Sequence, residues 1–124
     1  MAVNTSLVTW SSQALTAGTV TGSTAVDLTG FSGAAIVLGI TTTTGGTSPT
    51  IQPNLQFSVD GVNWAAAPAG IWNGAALPAA LALANGAAQY SFLTPATLAL
   101  GLVRAVYTVV STPTVTGYIQ LLAH

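Results

Sequence analysis

The stretch Leu102-Val103-Arg104-Ala105-Val106-Tyr107-Thr108-Val109 repeats with a period of two along its whole length. Positions 103, 105, 107 and 109 carry side chains suited to a core, and they alternate with a second set at 102, 104, 106 and 108. The stretch Asn54-Leu55-Gln56-Phe57-Ser58-Val59 alternates in the same way, with Leu55, Phe57 and Val59 on the apolar face. A period of two is the pattern of a β-strand with one buried face.

The same composition, rich in Val, Thr, Ile and Tyr, recurs between clusters of Gly, Ser, Asn and Pro along the rest of the chain. It predicts further strands at residues 7–10, 24–28, 34–42, 88–92 and 115–122. Short strands separated by regular turns are typical of antiparallel sandwiches and barrels. We therefore predict an all-β fold, an antiparallel β-sandwich (jelly-roll or Ig-like) of about seven to eight strands.

Two segments of the chain look alike. In one, a strand ending at Thr44 is followed by a loop that ends in Ser48-Pro49-Thr50, and in the other a strand ending at Val110 is followed by Ser111-Thr112-Pro113-Thr114. Ser, Thr and Pro are common turn residues. Both segments are therefore predicted to be hairpins.

The length of 124 residues fits one domain. We predict a single β-sandwich domain over residues 19–124. Within it, residues 65–86 are rich in Ala and interrupted by Pro and Gly, which predicts a long crossover loop. Residues 1–18 are strand-like and uncharged, so they form a possible N-terminal arm that pairs with the sheet edge of a neighbouring subunit.

Only Asp27, Asp60 and Arg104 are charged at neutral pH, and the chain contains no Lys, Glu or Cys. A typical globular domain is roughly a quarter charged. A surface this neutral does not repel copies of itself, and Thr and Ala lose their water at a far smaller cost than Lys or Glu. The composition favours large contacts between subunits.

The same composition excludes several classes of function. One Arg cannot supply the clustered positive charge that nucleic acid requires. The apolar stretches are too short for membrane spans, and no secretory signal is visible. The single His124 is the last residue and is expected to be mobile, with no carboxylate, thiol or second His beside it in sequence. We expect no enzyme activity, no metal site and no cofactor.

The three charged residues and one glycine are structural candidates. Asp60-Gly61 predicts a tight turn in which Asp60 bonds backbone amides and Gly61 adopts a positive φ; the alternative role for Asp60 is an ion ligand. Arg104 is expected to pair with Asp27 or to tie the Ala-rich segment to the sheet. Its alternative role is an anion-binding residue.

Three tryptophans, Trp10, Trp64 and Trp72, are candidates for a subunit interface or for glycan binding. Trp64 and Trp72 are close enough in sequence to form one wall of a sugar site.

Several motifs together resemble a known family. They are Ala25-Val26-Asp27-Leu28, the run Leu55-Gln56-Phe57-Ser58-Val59-Asp60-Gly61-Val62-Asn63-Trp64, and Leu102-Val103-Arg104-Ala105-Val106 followed by Thr112-Pro113-Thr114-Val115. Strands within residues 24–64 and 101–122, about half of the chain, are similar to small structural proteins of tailed bacteriophages. These are capsid decoration, or cement, proteins and related minor virion proteins.

The resemblance implies a structural virion protein that binds the outer surface of an assembled bacteriophage capsid and stabilises it. The implied partners are the major capsid protein of the same virus and further copies of the chain, with a trimer favoured and a dimer possible. The implied location is the capsid exterior, after assembly in the bacterial host cytoplasm. Two alternatives remain open: a phage tail or fibre component, and a carbohydrate-binding β-sandwich module.

Overall fold

A computed structural model describes residues 3–67, 78–93 and 101–124, and the secondary structure in these ranges is entirely β. The strands are β1 (Val3–Ala14), β2 (Gly18–Asp27), β3 (Ala34–Thr44), β4 (Thr50–Ser58), β5 (Ala65–Ala66), β6 (Leu81–Ala82), β7 (Gln89–Leu93), β8 (Leu102–Val110) and β9 (Thr114–Ala123). The all-β prediction is confirmed. In this part of the chain, no helix is long and apolar enough to cross a membrane.

The strands form two antiparallel sheets. Sheet A has the order β1-β9-β3-β7, and sheet B has the order β2-β8-β4-β5, with β6 also pairing with β4. The pairs are nested, because β1 pairs with β9, β2 with β8, β3 with β7, and β4 with β5 and β6. A long antiparallel ribbon wound into two sheets is a jelly roll. The predicted sandwich is therefore confirmed, in its jelly-roll form, with two strands of only two residues each.

The two predicted hairpins are wrong. β3 lies in sheet A while β4 lies in sheet B, and β8 and β9 are divided in the same way. Each loop therefore crosses from one sheet to the other, and the two loops pack together through a 2.7 Å hydrogen bond from the Thr47 amide to Ser111 Oγ. Ser, Thr and Pro signal that the chain turns, but they do not determine which sheet the next strand joins.

The core lies between the two sheets. Positions 103, 105, 107 and 109 of β8 face it, as the alternation predicts. Trp10 of β1 is only 1% exposed, and its ring meets the ring of Tyr107 edge-on at 5.1 Å. The indole Nε1 also donates a 3.4 Å hydrogen bond to the Tyr107 hydroxyl. This pair joins the first strand of sheet A to β8 of sheet B.

The first and last described strands are both part of the sandwich. β1, which makes up most of residues 1–18, pairs with β9 of its own chain rather than extending away as an arm. The backbone of His124, for which we expect mobility, is held by the loop between β2 and β3. Its carbonyl accepts the amides of Ser32 and Gly33, and its own amide donates to the Gly33 carbonyl.

The Ala-rich segment begins and ends at the edge of sheet B. Its first strand, β5, pairs with the end of β4, and β6 pairs with the beginning of β4. The Ala67 amide also donates to the Leu55 carbonyl, and the Leu83 amide to the Pro49 carbonyl. The predicted crossover between these two contacts falls on residues 68–77, which lie outside the described residues.

Two glycines allow β3 and β9 to approach closely. Gly39 of β3 is directly opposite Tyr118 of β9, and the phenol ring occupies the space that a side chain at position 39 would need. At Gly117, an added Cβ would overlap the Gly39 carbonyl oxygen and would lie 3.0 Å from Ile40 Cα. These two atoms belong to the backbone, so a rotamer change of the third neighbour, Ile40 Cδ1, cannot relieve the overlap.

We predict that Gly117→Ala lowers the free energy of unfolding by about 1–3 kcal/mol, because overpacking moves backbone. The matched control is Gly33→Ala, whose nearest new contact is the movable imidazole of His124 at 3.3 Å. Equilibrium denaturant unfolding measures both. Equal free energies of unfolding for the two variants would contradict the close approach of β3 and β9 at Gly117.

Candidate interaction surface

The charged side chains are all on one side of the sandwich. Asp27 ends β2, Arg104 lies on the outer face of β8, and Asp60 lies in the loop between β4 and β5, all of which belong to sheet B. The strands of sheet A contain no Asp, Glu, Lys or Arg. The outer face of sheet A is therefore uncharged over the described residues.

Arg104 is half-buried and has two partners. Its Nε donates a 2.8 Å hydrogen bond to Gln56 Oε1, and the two residues are direct neighbours across β8 and β4. Its guanidinium carbon lies 4.0 Å from the centre of the Trp64 ring, within the range of a cation–π contact. Arg104 therefore ties β8 to β4 and to the residue that precedes β5.

Asp27, which we expect to pair with Arg104, instead accepts a hydrogen bond within its own turn. Its Oδ1 accepts the Thr29 amide at 2.9 Å, which closes the turn after β2 and lowers the pKa of the carboxyl. Over the described ranges no ion pair joins Asp27 to Arg104. The contact with Trp64 lies one residue before the Ala-rich segment at residues 65–86, so the other predicted role, tying that segment to the sheet, stays a prediction.

Asp60 organises the loop between β4 and β5. Its carboxylate accepts the amides of Val62 and Asn63 at 2.8 Å each, the Asn63 side-chain amide at 2.8 Å and the Ser58 hydroxyl at 3.0 Å. These donors hold the pKa of Asp60 well below its ordinary value. Gly61 has the expected positive φ of 77°.

The ion-ligand role for Asp60 has no geometric support. Its oxygens are already bonded to donors of its own loop. In residues 3–67, 78–93 and 101–124, no three His, Cys, Asp or Glu side chains come together as a metal site would need.

The Asp60 loop holds two apolar side chains in solvent. Val59 is 93% exposed and Val62 is 79% exposed. The sequence pattern predicts that Val59 faces the core, which is wrong because β4 ends at Ser58 and the backbone turns before the next inward position. We call the exposed valines and the Asp60 turn between them, residues 59–62, the valine tip.

The three tryptophans have different environments. Trp10 lies in the core, so its predicted role at an interface or a glycan site is not compatible with this structure. Trp64 is half-buried, and one face of its ring is covered by Arg104. Trp72 lies outside the described residues, so the wall of Trp64 and Trp72 stays a prediction.

Sequence reasoning missed the largest exposed side chains of sheet A. Phe92 is 77% exposed and Tyr90 is 54% exposed, both on the outer face of β7. Their spacing of two indicates that they share a face. Their alternation with Gln89 and Ser91 indicates an inward aromatic face, which is the reverse of the face that the structure exposes.

The acid stability of the chain should depend mainly on Asp60. Its folded pKa is lower than its ordinary value of 3.8, so its stabilising contribution is present above pH 3.8 and is lost as the pH falls through the folded pKa. We expect a melting temperature that is constant between pH 7 and about 4 and that decreases at lower pH.

Circular dichroism melts from pH 7 to 2 measure this dependence. Asp60→Asn should flatten the acid decrease more than the control Asp27→Asn, because four donors from three residues face Asp60 and Thr29 alone bonds to Asp27. An unchanged acid profile in Asp60→Asn would contradict the role of these hydrogen bonds.

The contact between Arg104 and Trp64 should be measurable as a coupling free energy. A double-mutant cycle of Arg104→Ala and Trp64→Ala should give about 0.5–1 kcal/mol, the range for a cation–π pair near the surface. The control cycle of Thr108→Ala and Trp64→Ala should give a value near zero. Equal coupling in the two cycles would show that the stacking is not energetically significant.

No protein-family model matches the chain, and no curated protein matches it by sequence. Solved structures do share its fold. A chain from the crystal structure of the T13 particle of infectious bursal disease virus, described as a link in the evolution of icosahedral viruses, superposes with a TM-score of 0.59 at 11% identity. A chain from the structure of the Gx strain of the same virus gives 0.52 at 10% identity.

Both superpositions include 100% of this chain, but only 31% and 33% of the viral chains. The chain therefore spans about a third of the length of these neighbours. What is similar is the fold: the jelly roll of this chain is also found in chains from an icosahedral virus particle.

Proposed function

We propose that this chain is a non-enzymatic structural virion protein. It binds the outer surface of an assembled bacteriophage capsid as a homo-oligomer and stabilises the shell. The observation that carries the proposal is the jelly-roll fold formed by the nine strands, which superposes over 100% of this chain on a chain from an icosahedral virus particle.

The surface of the chain supports this role. Three charged side chains leave the exterior nearly neutral, so contact with a shell requires little loss of ion hydration. A decoration protein is present in many symmetry-related copies. Weak individual contacts repeated in this way give a strong total attachment.

We assign the contact with the major capsid protein to the valine tip. Its two valines are the most exposed of the large apolar side chains in the described residues. The four hydrogen bonds to Asp60 fix the loop before binding, so few degrees of freedom are lost in the contact.

The test uses shells assembled from the major capsid protein of the phage that encodes this chain, without decoration. Adding the purified chain should raise the melting temperature of the shells in calorimetry. The variant Val59→Lys with Val62→Lys should bind at least tenfold more weakly, because two lysines replace apolar contact area. The control Thr16→Lys adds charge at an exposed site in the loop between β1 and β2, at the opposite end of the sandwich, and should bind normally.

A chain that neither binds these shells nor raises their melting temperature would contradict the decoration role. Electron microscopy of labelled virions then separates the alternatives. Label on the tail would indicate a tail or fibre component. Binding on a glycan array that is lost in Trp64→Ala would indicate a carbohydrate-binding module.

A further inference from the structure

The outermost strands of the two sheets differ in how they are protected from pairing with other chains. β1 has two register shifts against β9, and β2 has one against β8 and ends in a charged residue, Asp27. β5 and β6 are two residues long. Irregular, charged or very short edges are the devices by which proteins avoid unwanted strand pairing.

β7 has none of these features. It pairs with β3 over five residues, from Ile36 opposite Leu93 to Ile40 opposite Gln89, without a register shift. It contains no proline and no charged residue. Within the described residues β7 has a partner on one side only, so a row of its backbone amides and carbonyls faces outward.

The side chains of β7 also suit a contact. Gln89 is already bonded within its own chain, since its Oε1 accepts the Ala84 amide at 2.8 Å and its Nε2 donates to the Ala82 carbonyl at 2.7 Å. Tyr90 and Phe92 stand on the outer face, opposite Gly39 and Val37 of β3. The strand therefore presents two aromatic rings, and its remaining polar side-chain groups are the Tyr90 and Ser91 hydroxyls.

We propose that β7 pairs antiparallel with β7 of a second copy of this chain, about a two-fold axis at Ser91. In this register Ser91 is opposite the partner's Ser91, and Tyr90 is opposite the partner's Phe92. The two aromatic pairs lie on the same face, where cross-strand pairs contact. Sheet A then continues across the axis as one sheet of eight strands, twice the four in each copy.

A second copy is the occupant that this edge fits best. The sequence Tyr-Ser-Phe is self-complementary about its centre, as an interface on a two-fold axis requires. No charged side chain of sheet A opposes the approach of an identical face. This inference rests on the proposed function, in which the chain acts as a homo-oligomer. It specifies a dimer, whereas the sequence resemblance favours a trimer.

Sedimentation of the purified chain at increasing concentration tests the pairing without any shell. The wild type should move from 12.3 kDa toward twice that mass. Tyr90→Lys with Phe92→Lys should remain monomeric, because lysine on an edge strand prevents pairing. The control Val59→Lys with Val62→Lys adds the same charge at the valine tip and should dimerise like the wild type.

A monomeric wild type at all concentrations, a trimer, or equal dimerisation of the two lysine variants would overturn the proposal. Because the tip variant is expected to lose shell binding and keep the dimer, failure of this inference is distinguishable from failure of the decoration role.

A cysteine cross-link tests the register. The chain contains no Cys, so a single substitution gives a unique thiol. Residues directly opposite across two antiparallel strands have Cα atoms about 4.5–5.5 Å apart, within the range of about 4.4–6.8 Å that a disulfide spans. Under mild oxidation Ser91→Cys should form a covalent dimer at least tenfold faster than the control Ser11→Cys, on the other edge strand of sheet A. Equal rates would overturn the proposed register.

Discussion

The antiparallel pairing of β1 with β9 is the contact on which the rest of the structure depends, because it joins the two ends of the sequence. It brings Thr114–Ala123 between β1 and β3, and so completes the middle of sheet A. The other pairs then follow in nested order toward the middle of the chain. Backbone hydrogen bonds and apolar burial stabilise this pairing, so the strands need few charged side chains.

The few charged side chains of this protein all belong to sheet B and its turns. Asp27 caps one turn and Asp60 fixes another, while Arg104 on β8 contacts Gln56 and Trp64. Sheet A uses none. A surface of Thr, Gln, Ala and aromatic groups loses its water at little cost, and this property suits contacts with other protein subunits. The same property makes an exposed strand edge hazardous for an isolated chain.

The sequence predicted the fold class because alternation in β4 and β8 is a local signal of a half-buried strand. It could not predict the connections. The loops after Thr44 and Val110 have ordinary turn chemistry, yet each leads to the opposite sheet, because strand partners are determined by packing across the whole chain. Val59 is a second example of what the sequence pattern does not reveal. The period of two continues through Val59, but β4 ends one position earlier, at Ser58. The sequence also does not reveal that Trp10 is buried, because its burial depends on a partner, Tyr107, that is distant in sequence.

The edges of the two sheets differ in how well they are protected from pairing with other chains, and this difference bears on how the protein assembles. If every edge had been built for solubility, β7 would be expected to carry a lysine, a proline or a bulge, as edge strands of monomers commonly do. Three of the edge positions in this sandwich have such a device or are very short, and β7 alone among the described edges is regular, uncharged and aromatic. Selection for a soluble monomer gives no reason for this difference between edges of one molecule. Selection for contact with another strand does, and it requires no charged or catalytic side chain to specify the partner.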